Sequence, residues 1–236
     1  MAEPFYAQYL TLFQPDNQTA WDDILLQFDL FEEHCKWNGT NLLVHGWDQS
    51  RSAAFADPVT GQAPHVWDRA VGWYLVALAD VLDYYPAQLP GYDKLLGHFK
   101  NLAAAVLDVQ DESGGWWLVI DPPYPGMEGN YIESSGTAMF TYSWLKGIRK
   151  GYLERETYFA PAEKAYNLMT DRFVAHNGTN GTLNWEGTVI VGSLSGNGSY
   201  EVSRSTRFDV CRTRILVANA DAVCSIISLK NYLRMI

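Results

Sequence analysis

The sequence predicts an all-α protein in which helical hairpins form part of an (α/α)6 toroid, a barrel with an inner and an outer ring of helices. The first observation is a weak repeat: residues 42–48 (LLVHGWD) resemble 114–121 (GGWWLVID), and 181–187 (GTLNWEG) is a looser third copy. The second observation is that two helical hydrophobic patterns lie in each interval between copies. Each unit is therefore a helical hairpin closed by a short extended aromatic segment, and it buries its apolar face only against neighbouring units.

The individual helices follow from the spacing of apolar residues and from their start signals. Asn17-Gln18-Thr19 opens the first pattern, and residues 1–8 fall inside an inner helix of the ring. Inner helices are typically the more apolar ones, and outer helices carry the charges. The predicted helices are, in order, 20–35, 68–84 (inner), about 92–109, 134–150 (inner) and about 155–174. A closed ring of six hairpins would need roughly 350–400 residues at this repeat length, so the toroid is incomplete in this chain.

We divide the chain into a partial toroid domain, residues 1–201, and a divergent C-terminal tail, residues 202–236. The tail holds six basic and two acidic residues, whereas the whole chain has 17 basic and 27 acidic residues. A basic helix would account for this change. We prefer an altered reading frame or a retained intron as its cause.

Composition and charge exclude some classes of function. The formal net charge of −10 and the isoelectric point near 4.9 argue against nucleic-acid and anionic-membrane partners, and no apolar run of about 20 residues predicts a transmembrane helix. The five histidines and three cysteines lack metal-ligand spacing, so we expect no metal and no cofactor. The first residues do not resemble a signal peptide, but five N-glycosylation sequons favour an extracellular parent protein. The oligomeric state stays open.

Four residues near the first repeat copy form the predicted substrate site: His45, Trp67, Arg69 and Trp73. Indole rings pack against the apolar face of a sugar, and a guanidinium can hold a uronic acid carboxylate by two parallel hydrogen bonds. If Asp68 caps a helix, Arg69 opens its first turn, and Trp73 lies four residues on, sharing that face. Trp67 then lies at the mouth of the helix, where the positive end of the helix dipole also favours an anion.

The same residues also have a purely structural interpretation. Aromatic residues at helical spacing usually pack a core, and Arg69 would then serve only as an ion-pair partner. The aromatic content of 14%, with nine tryptophans, fits either a sugar-binding site or a large helical core. Spacing alone therefore leaves both interpretations open.

Several longer motifs occur in order along the chain. They are Met1-Ala2-Glu3-Pro4-Phe5, His45-Gly46-Trp47-Asp48, Trp67-x-Arg69-x-x-Gly72-Trp73, Glu133-Ser134-Ser135-Gly136-Thr137-Ala138-Met139-Phe140, Lys146-Gly147-Ile148, and Val191-Gly192-Ser193 with Gly196. Together they resemble the unsaturated glucuronyl and rhamnogalacturonyl hydrolases of glycoside hydrolase families 88 and 105. The resemblance covers residues 1 to about 201 and is clearest to the unsaturated rhamnogalacturonyl hydrolases.

The resemblance implies a fold, a substrate and a mechanism. The fold is an (α/α)6 barrel, and the substrates are oligosaccharides from pectin or rhamnogalacturonan that end in a 4,5-unsaturated galacturonic acid. In this family an aspartate protonates C4 of the vinyl ether and helps water to add at C5, and the resulting hemiketal collapses and releases the sugar. Arg69 would hold the uronate carboxylate, Trp67 and Trp73 would stack against the unsaturated ring, and His45 would orient substrate or water.

The resemblance also implies that a catalytic group is missing. The family's essential aspartate lies shortly before the Met-x-x-Pro-Phe segment, hence upstream of Met1, so we expect no retained catalytic residue and negligible activity of this chain. Two acidic residues near the motifs are expected to have structural roles: Asp48 as a turn residue and Asp68 as a helix cap. Glu133 is likewise expected to be a cap or network residue.

Three hypotheses on function therefore stand beside each other. The chain is a fragment of a family 105-type hydrolase, a pseudoenzyme that binds uronates through Arg69 and the tryptophans without turnover, or a half-toroid whose aromatics are only core. Upstream genomic sequence that encodes an aspartate just before Met1 would favour the first hypothesis, and binding of unsaturated sugars without turnover would favour the second. Aggregation without a cooperative melt would favour the third, because an open toroid exposes hairpin faces.

Overall fold

A computed structural model describes residues 2–176, 183–189, 192, 194 and 196–201. The predicted tail, 202–236, and the first two residues of the third repeat copy lie outside the described residues. The helices are α1 Ala2–Phe13, α2 Gln18–His34, α3 Asp68–Val81, α4 Gly91–Asp108, α5 Ser134–Arg149 and α6 Arg155–Arg172. Two short antiparallel pairs accompany them: β1 Trp116–Trp117 with β2 Ile132–Glu133, and β3 Val174–His176 with β4 Leu183–Trp185. The all-α prediction is confirmed, and the helix boundaries lie within three residues of those expected.

The helices form an inner and an outer layer. The most extensive packing joins α3 to α5, and α1 also packs against α3, so α1, α3 and α5 are the inner helices. The outer helices α2, α4 and α6 pack against α1, α3 and α5, respectively. This arrangement agrees with the predicted hairpins. None of the helices in the described ranges is long and apolar enough to cross a membrane.

The centre of the core is a group of aromatic rings between α4, α5 and α6. The Trp116 ring lies 5.0 Å from that of Phe140 and 5.2 Å from that of Trp144, both edge-to-face. Trp116 also donates from Nε1 to the carbonyl of Val106 at 2.8 Å. Val106 belongs to the last turn of α4, where carbonyls lack a partner within the helix. One indole thus packs in the core and also provides a hydrogen-bond donor to a carbonyl at the end of α4.

The extended segments lie at the ends of the helices, as the repeat predicted. Lys36 pairs with Leu43, and Trp47 pairs with Gln62 across the loop that leads to α3. The Asp48 carboxylate accepts hydrogen bonds from the amides of Ser50, Ser52 and Ala53, which confirms it as a turn residue. These bonds lower the pKa of Asp48.

The start of α3 differs from the prediction. We expected Asp68 to cap this helix, and that expectation was wrong: Trp67 is the N-cap, and its side chain makes no capping hydrogen bond. Trp67 is held extended because it pairs with Val119, and the amide of Asp68 donates to the carbonyl of Leu118 at 3.1 Å. A long-range backbone pairing therefore fixes where α3 begins. The expected opening of α2 and the expected cap at Glu133 are confirmed: Asn17 Oδ1 accepts from the Ala20 amide, and Glu133 accepts from the Gly136 amide.

The side of α1 that is exposed to solvent carries several large apolar residues. Its exposed large side chains include Phe5 at 71%, Leu12 at 65% and Phe13 at 68% relative accessibility. These positions lie on one side of a helix whose other side buries Ala7 and Leu10 against the core. These side chains form a continuous apolar strip, whereas the exposed apolar residues of most soluble proteins are scattered singly.

Trp116 and Trp144 are equally buried, but we expect the same substitution to lower stability more at Trp116 than at Trp144. Trp116→Phe removes the hydrogen bond to Val106 and leaves that carbonyl unpaired, whereas Trp144 Nε1 is buried without a partner among the described residues. We expect Trp116→Phe to lower the free energy of unfolding by about 1–3 kcal/mol more than Trp144→Phe does. Urea denaturation of the two variants tests this, and equal losses would contradict the capping role of Trp116.

Candidate functional site

Three of the four predicted site residues gather around one indole. His45 lies on the loop before α3, with its ring centroid 4.6 Å from that of Trp67. The Arg69 guanidinium carbon lies 5.0 Å from the centre of the Trp67 ring, within the range of a cation–π contact. An imidazole, an indole and a guanidinium therefore lie side by side at the N-terminus of α3.

Trp73 lies one turn further along α3 and faces a different space. Its side chain, 40% exposed, lines a cavity of about 250 Å³ between α1, α2 and α3. The cavity is also lined by Glu3, Gln27, Phe28, Phe31, Ala70, Tyr74 and Ala77. The Arg69 guanidinium instead contacts Glu133, Ser135, Thr188 and Val189. Helical spacing places Arg69 and Trp73 near one face of α3, but their side chains point to two neighbouring parts of the surface.

Arg69 is held by a dense set of hydrogen bonds. Nε donates to Ser135 Oγ at 2.7 Å, while Nη2 donates to Glu133 Oε1 at 3.0 Å, to Thr188 Oγ1 at 2.7 Å and to the Val189 carbonyl at 2.7 Å. Nη1 makes no hydrogen bond to any described residue. Nη1 therefore keeps its hydrogen-bonding capacity for an incoming anion, whereas a carboxylate bound through Nε and Nη2 would have to displace these partners.

Glu133 is the anionic partner of Arg69 and is fully buried. Its carboxylate also accepts from Ser135 Oγ at 2.8 Å and from the Gly136 amide at 2.7 Å. It is both cap and network residue, as expected from the sequence. Neither Ser135 nor Thr188 was among the predicted site residues. Ser135 lies within the motif Glu133–Phe140, whereas Thr188, 119 positions from Arg69, had no sequence signal.

Asp68 lies beside this network without any exposure to solvent. Its Oδ1 accepts from the Arg69 amide at 2.7 Å. Oδ2 has no hydrogen-bond partner within the described part of the chain. Burial, and then the negative charge of Glu133, raise the pKa of Asp68 well above its usual range, although Arg69 acts in the opposite direction. Asp68 is therefore a member of the buried network and not a group that meets substrate.

His45 is neutral over most of the pH range. Burial lowers the pKa of its ring to about 4, because a charged imidazole loses solvation there. Its amide donates to the His65 carbonyl at 3.0 Å, and this bond anchors the loop. A neutral imidazole can donate from one nitrogen and accept at the other, which suits a sugar hydroxyl or a water molecule.

The backbone leaves little freedom to the Trp67 indole. It packs against a small cluster that includes Leu118, Val119 and Tyr200. A Cβ atom built on Gly192 would overlap the ring, so only glycine allows the chain to approach the indole this closely. The indole is therefore a rigid wall of the site.

The acidic residues near this site are not free to reach a ligand. Asp68 and Glu133 have no exposed surface, and Asp48 is engaged in its own turn. The described residues thus provide a cation, a neutral ring and an aromatic wall, which are groups for binding.

Comparisons with known proteins bear on the family and the fold of the chain. The family model described as Glycosyl Hydrolase Family 88 matches residues 1–222. A solved structure of a Clostridium acetobutylicum glycoside hydrolase from family 105 is similar at 35% identity with a TM-score of 0.79, over 86% of this chain and 56% of that one. The match to a helical barrel of this family confirms the predicted fold class.

The names of two curated relatives state a hydrolase activity. The unsaturated 3S-rhamnoglycuronyl hydrolase of Formosa agariphila is 30% identical over 105 residues, 44% of this chain and 27% of its own length. The unsaturated rhamnogalacturonyl hydrolase YesR of Bacillus subtilis is 27% identical over 123 residues, 52% of this chain and 32% of its own length. The chain spans about half the length, 48%, of the curated relatives that match at 39% identity.

The depressed pKa of His45 predicts a loss of stability in acid. In the unfolded chain the ring takes up a proton near pH 6.5, whereas the folded ring takes it up only near pH 4. Stability is therefore fully present above pH 6.5 and declines as the pH falls towards 4. We expect His45→Gln to remove on the order of 2 kcal/mol of this decline.

The measurement is urea denaturation of both proteins at several pH values, with an NMR titration of the His45 ring in the folded state. The difference between the two proteins should be constant above neutral pH. A His45 ring that titrates at its ordinary value would contradict the prediction.

Proposed function

The chain belongs to Glycosyl Hydrolase Family 88, and we propose that it binds oligosaccharides that end in a 4,5-unsaturated galacturonic acid, of the kind that pectin and rhamnogalacturonan yield. The observation that carries this proposal is the guanidinium of Arg69, fixed beside Trp67 with Nη1 free of partners among the described residues. The named activities of the Formosa and Bacillus relatives, which both act on unsaturated sugars, support the same class of substrate.

Each group of the site has a role in this proposal. Nη1 of Arg69 binds the uronate carboxylate, and the helix dipole of α3 adds to the attraction because its positive end is at the same place. The flat unsaturated ring lies against Trp67, and the neutral His45 bonds a ring hydroxyl or a water molecule. Trp73 contacts the sugar from the neighbouring cavity, where its indole is 40% exposed.

The reaction of the family is hydration of the vinyl ether. A proton adds to C4 and the oxygen of water adds to C5, which gives a hemiketal at C5. Its collapse breaks the C5–O5 bond and leaves a ketone at C5 and a hemiacetal at C1. Collapse of that hemiacetal to an aldehyde then releases the glycosidic oxygen with the sugar. The step needs an acid that can reach C4. Asp68 and Glu133 are fully buried and Asp48 lies in its turn, so none of these three carboxyl groups is placed to serve as that acid. We therefore expect the chain by itself to bind the substrate without turnover.

Replacing Arg69 tests the binding proposal. Arg69→Lys keeps the charge but loses the planar fork that bonds Ser135 and Glu133, so we expect affinity for an unsaturated galacturonyl-rhamnose disaccharide to fall by about 10–100-fold. Isothermal titration calorimetry measures the affinity, and thermal melts identify any loss of folding. Arg51→Lys, the same change at an exposed loop arginine, is the matched control and should bind like the wild type. Equal affinity of the Arg69 variant would contradict the proposed role.

The absence of turnover has its own measurement. The unsaturated bond absorbs ultraviolet light, and its hydration removes that absorbance. With the wild-type chain and the disaccharide, we expect binding and no loss of absorbance. A steady loss would contradict the inactivity, and comparison of Asp48→Asn, Asp68→Asn and Glu133→Gln would then identify the acid.

A further inference from the structure

The carboxyl groups of Asp68 and Glu133 meet in the interior, at the contact between α3 and α5. Both side chains are completely buried. Both converge on Gly136: its amide donates to Glu133 Oε2 at 2.7 Å, and a Cβ atom added to it would overlap Asp68 Oδ2. Two acidic groups thus share one small space that lacks a side chain.

The hydrogen bonds of this pair are unequal. Glu133 accepts from Arg69 Nη2, Ser135 Oγ and the Gly136 amide, which identifies it as the ionised member. Asp68 Oδ1 accepts from the Arg69 amide, but Oδ2 accepts from no described residue although it is fully buried. An ionised oxygen in that position would be desolvated without compensation. A protonated Oδ2 would instead be a donor, and the neighbouring carboxylate is the acceptor at hand.

We propose that Asp68 is a neutral carboxylic acid that donates its proton to Glu133, and that this bond positions the Arg69 guanidinium for the uronate carboxylate. Asp68 is then a positioning residue, which acts through Glu133 and does not touch the ligand. The inference rests on the proposed function, because it assigns to Asp68 a part in uronate binding.

The charge of the cluster explains why the proton matters. The charged groups that act on Asp68 are Glu133, at the start of α5, and Arg69 on its own helix. With one shared proton, the three side chains sum to zero charge, and Nη1 of Arg69 still attracts an anion. Without the proton, the cluster carries a net charge of minus one directly behind the site. A second carboxylate would also compete for the guanidinium and turn it inward.

The direction of the pH dependence follows from the raised pKa of Asp68. The folded state keeps a proton that the unfolded chain releases, so this contribution to stability is present in acid and is lost as the pH rises through the folded pKa. Asp68→Asn imitates the neutral acid, because its amide can donate to Glu133 while its oxygen accepts from the Arg69 amide. The variant has no proton to lose there.

Infrared spectroscopy of the ligand-free chain tests the proton itself. With aspartate labelled by ¹³C at the carboxyl carbon, the wild type should show the C=O stretch of a protonated carboxylic acid at neutral pH. Asp68→Asn should lack this band, and Asp48→Asn, which removes an exposed ionised carboxylate, should retain it. Absence of the band from the wild type would overturn the inference. If Asp68→Asn does not fold, Glu133→Gln supplies the test, since the band should then shift with its acceptor.

Calorimetric titration with the unsaturated galacturonyl-rhamnose disaccharide, repeated from acid to alkaline pH, tests the positioning role. Wild-type affinity should fall by roughly tenfold as the shared proton is lost, and the affinity of Asp68→Asn should stay constant. Equal pH dependence of the two proteins would overturn the positioning role. If the wild type binds at no pH, the proposed function fails and the positioning role with it, whereas the infrared band still decides whether the proton is shared.

Discussion

The buried ion pair between Arg69 and Glu133 is the interaction on which the site depends. Arg69 belongs to α3, Glu133 precedes α5, and the same guanidinium also bonds Thr188 and Val189. One side chain therefore fixes three segments that are far apart in the sequence. Removing either partner would leave a buried charge, which typically costs about 3–5 kcal/mol. The pair is better understood as a device that orients the guanidinium than as a source of stability, because its desolvation offsets much of its attraction.

Close packing of α3 and α5 makes that interaction possible. A Cβ atom on Gly72 would lie 2.8 Å from the sulfur of Met139, and one on Gly136 would overlap Asp68. Two glycines on facing helices thus let the backbones approach, which brings Ser135 within reach of Arg69. The close packing between α3 and α5 therefore also determines which groups surround the charge of Arg69.

Local sequence signals predicted most of the helical framework and part of the site. Apolar periodicity located five helices, and the motif around Trp67 and Arg69 brought the right pair together with His45. The N-cap of α3 could not be predicted from the local sequence, because the pairing of Trp67 with Val119 determines where the helix begins. Thr188 was missed for the same reason, since only tertiary structure brings it to Arg69. The roles of the site residues and the boundary at residue 201 stay predictions.

The contact between Asp68 and Gly136 has a consequence for how this sequence can vary. The Asp68 carboxyl occupies the space that a Cβ atom at position 136 would need, so any larger residue there would collide with it. A larger residue at position 136 is therefore tolerated only once Asp68 has been replaced by a smaller one, whereas Asp68 can change to a residue of its own size while Gly136 stays. The two sites form an epistatic pair in which the order of substitution matters, and descendants of this chain that lose Gly136 should also have lost Asp68.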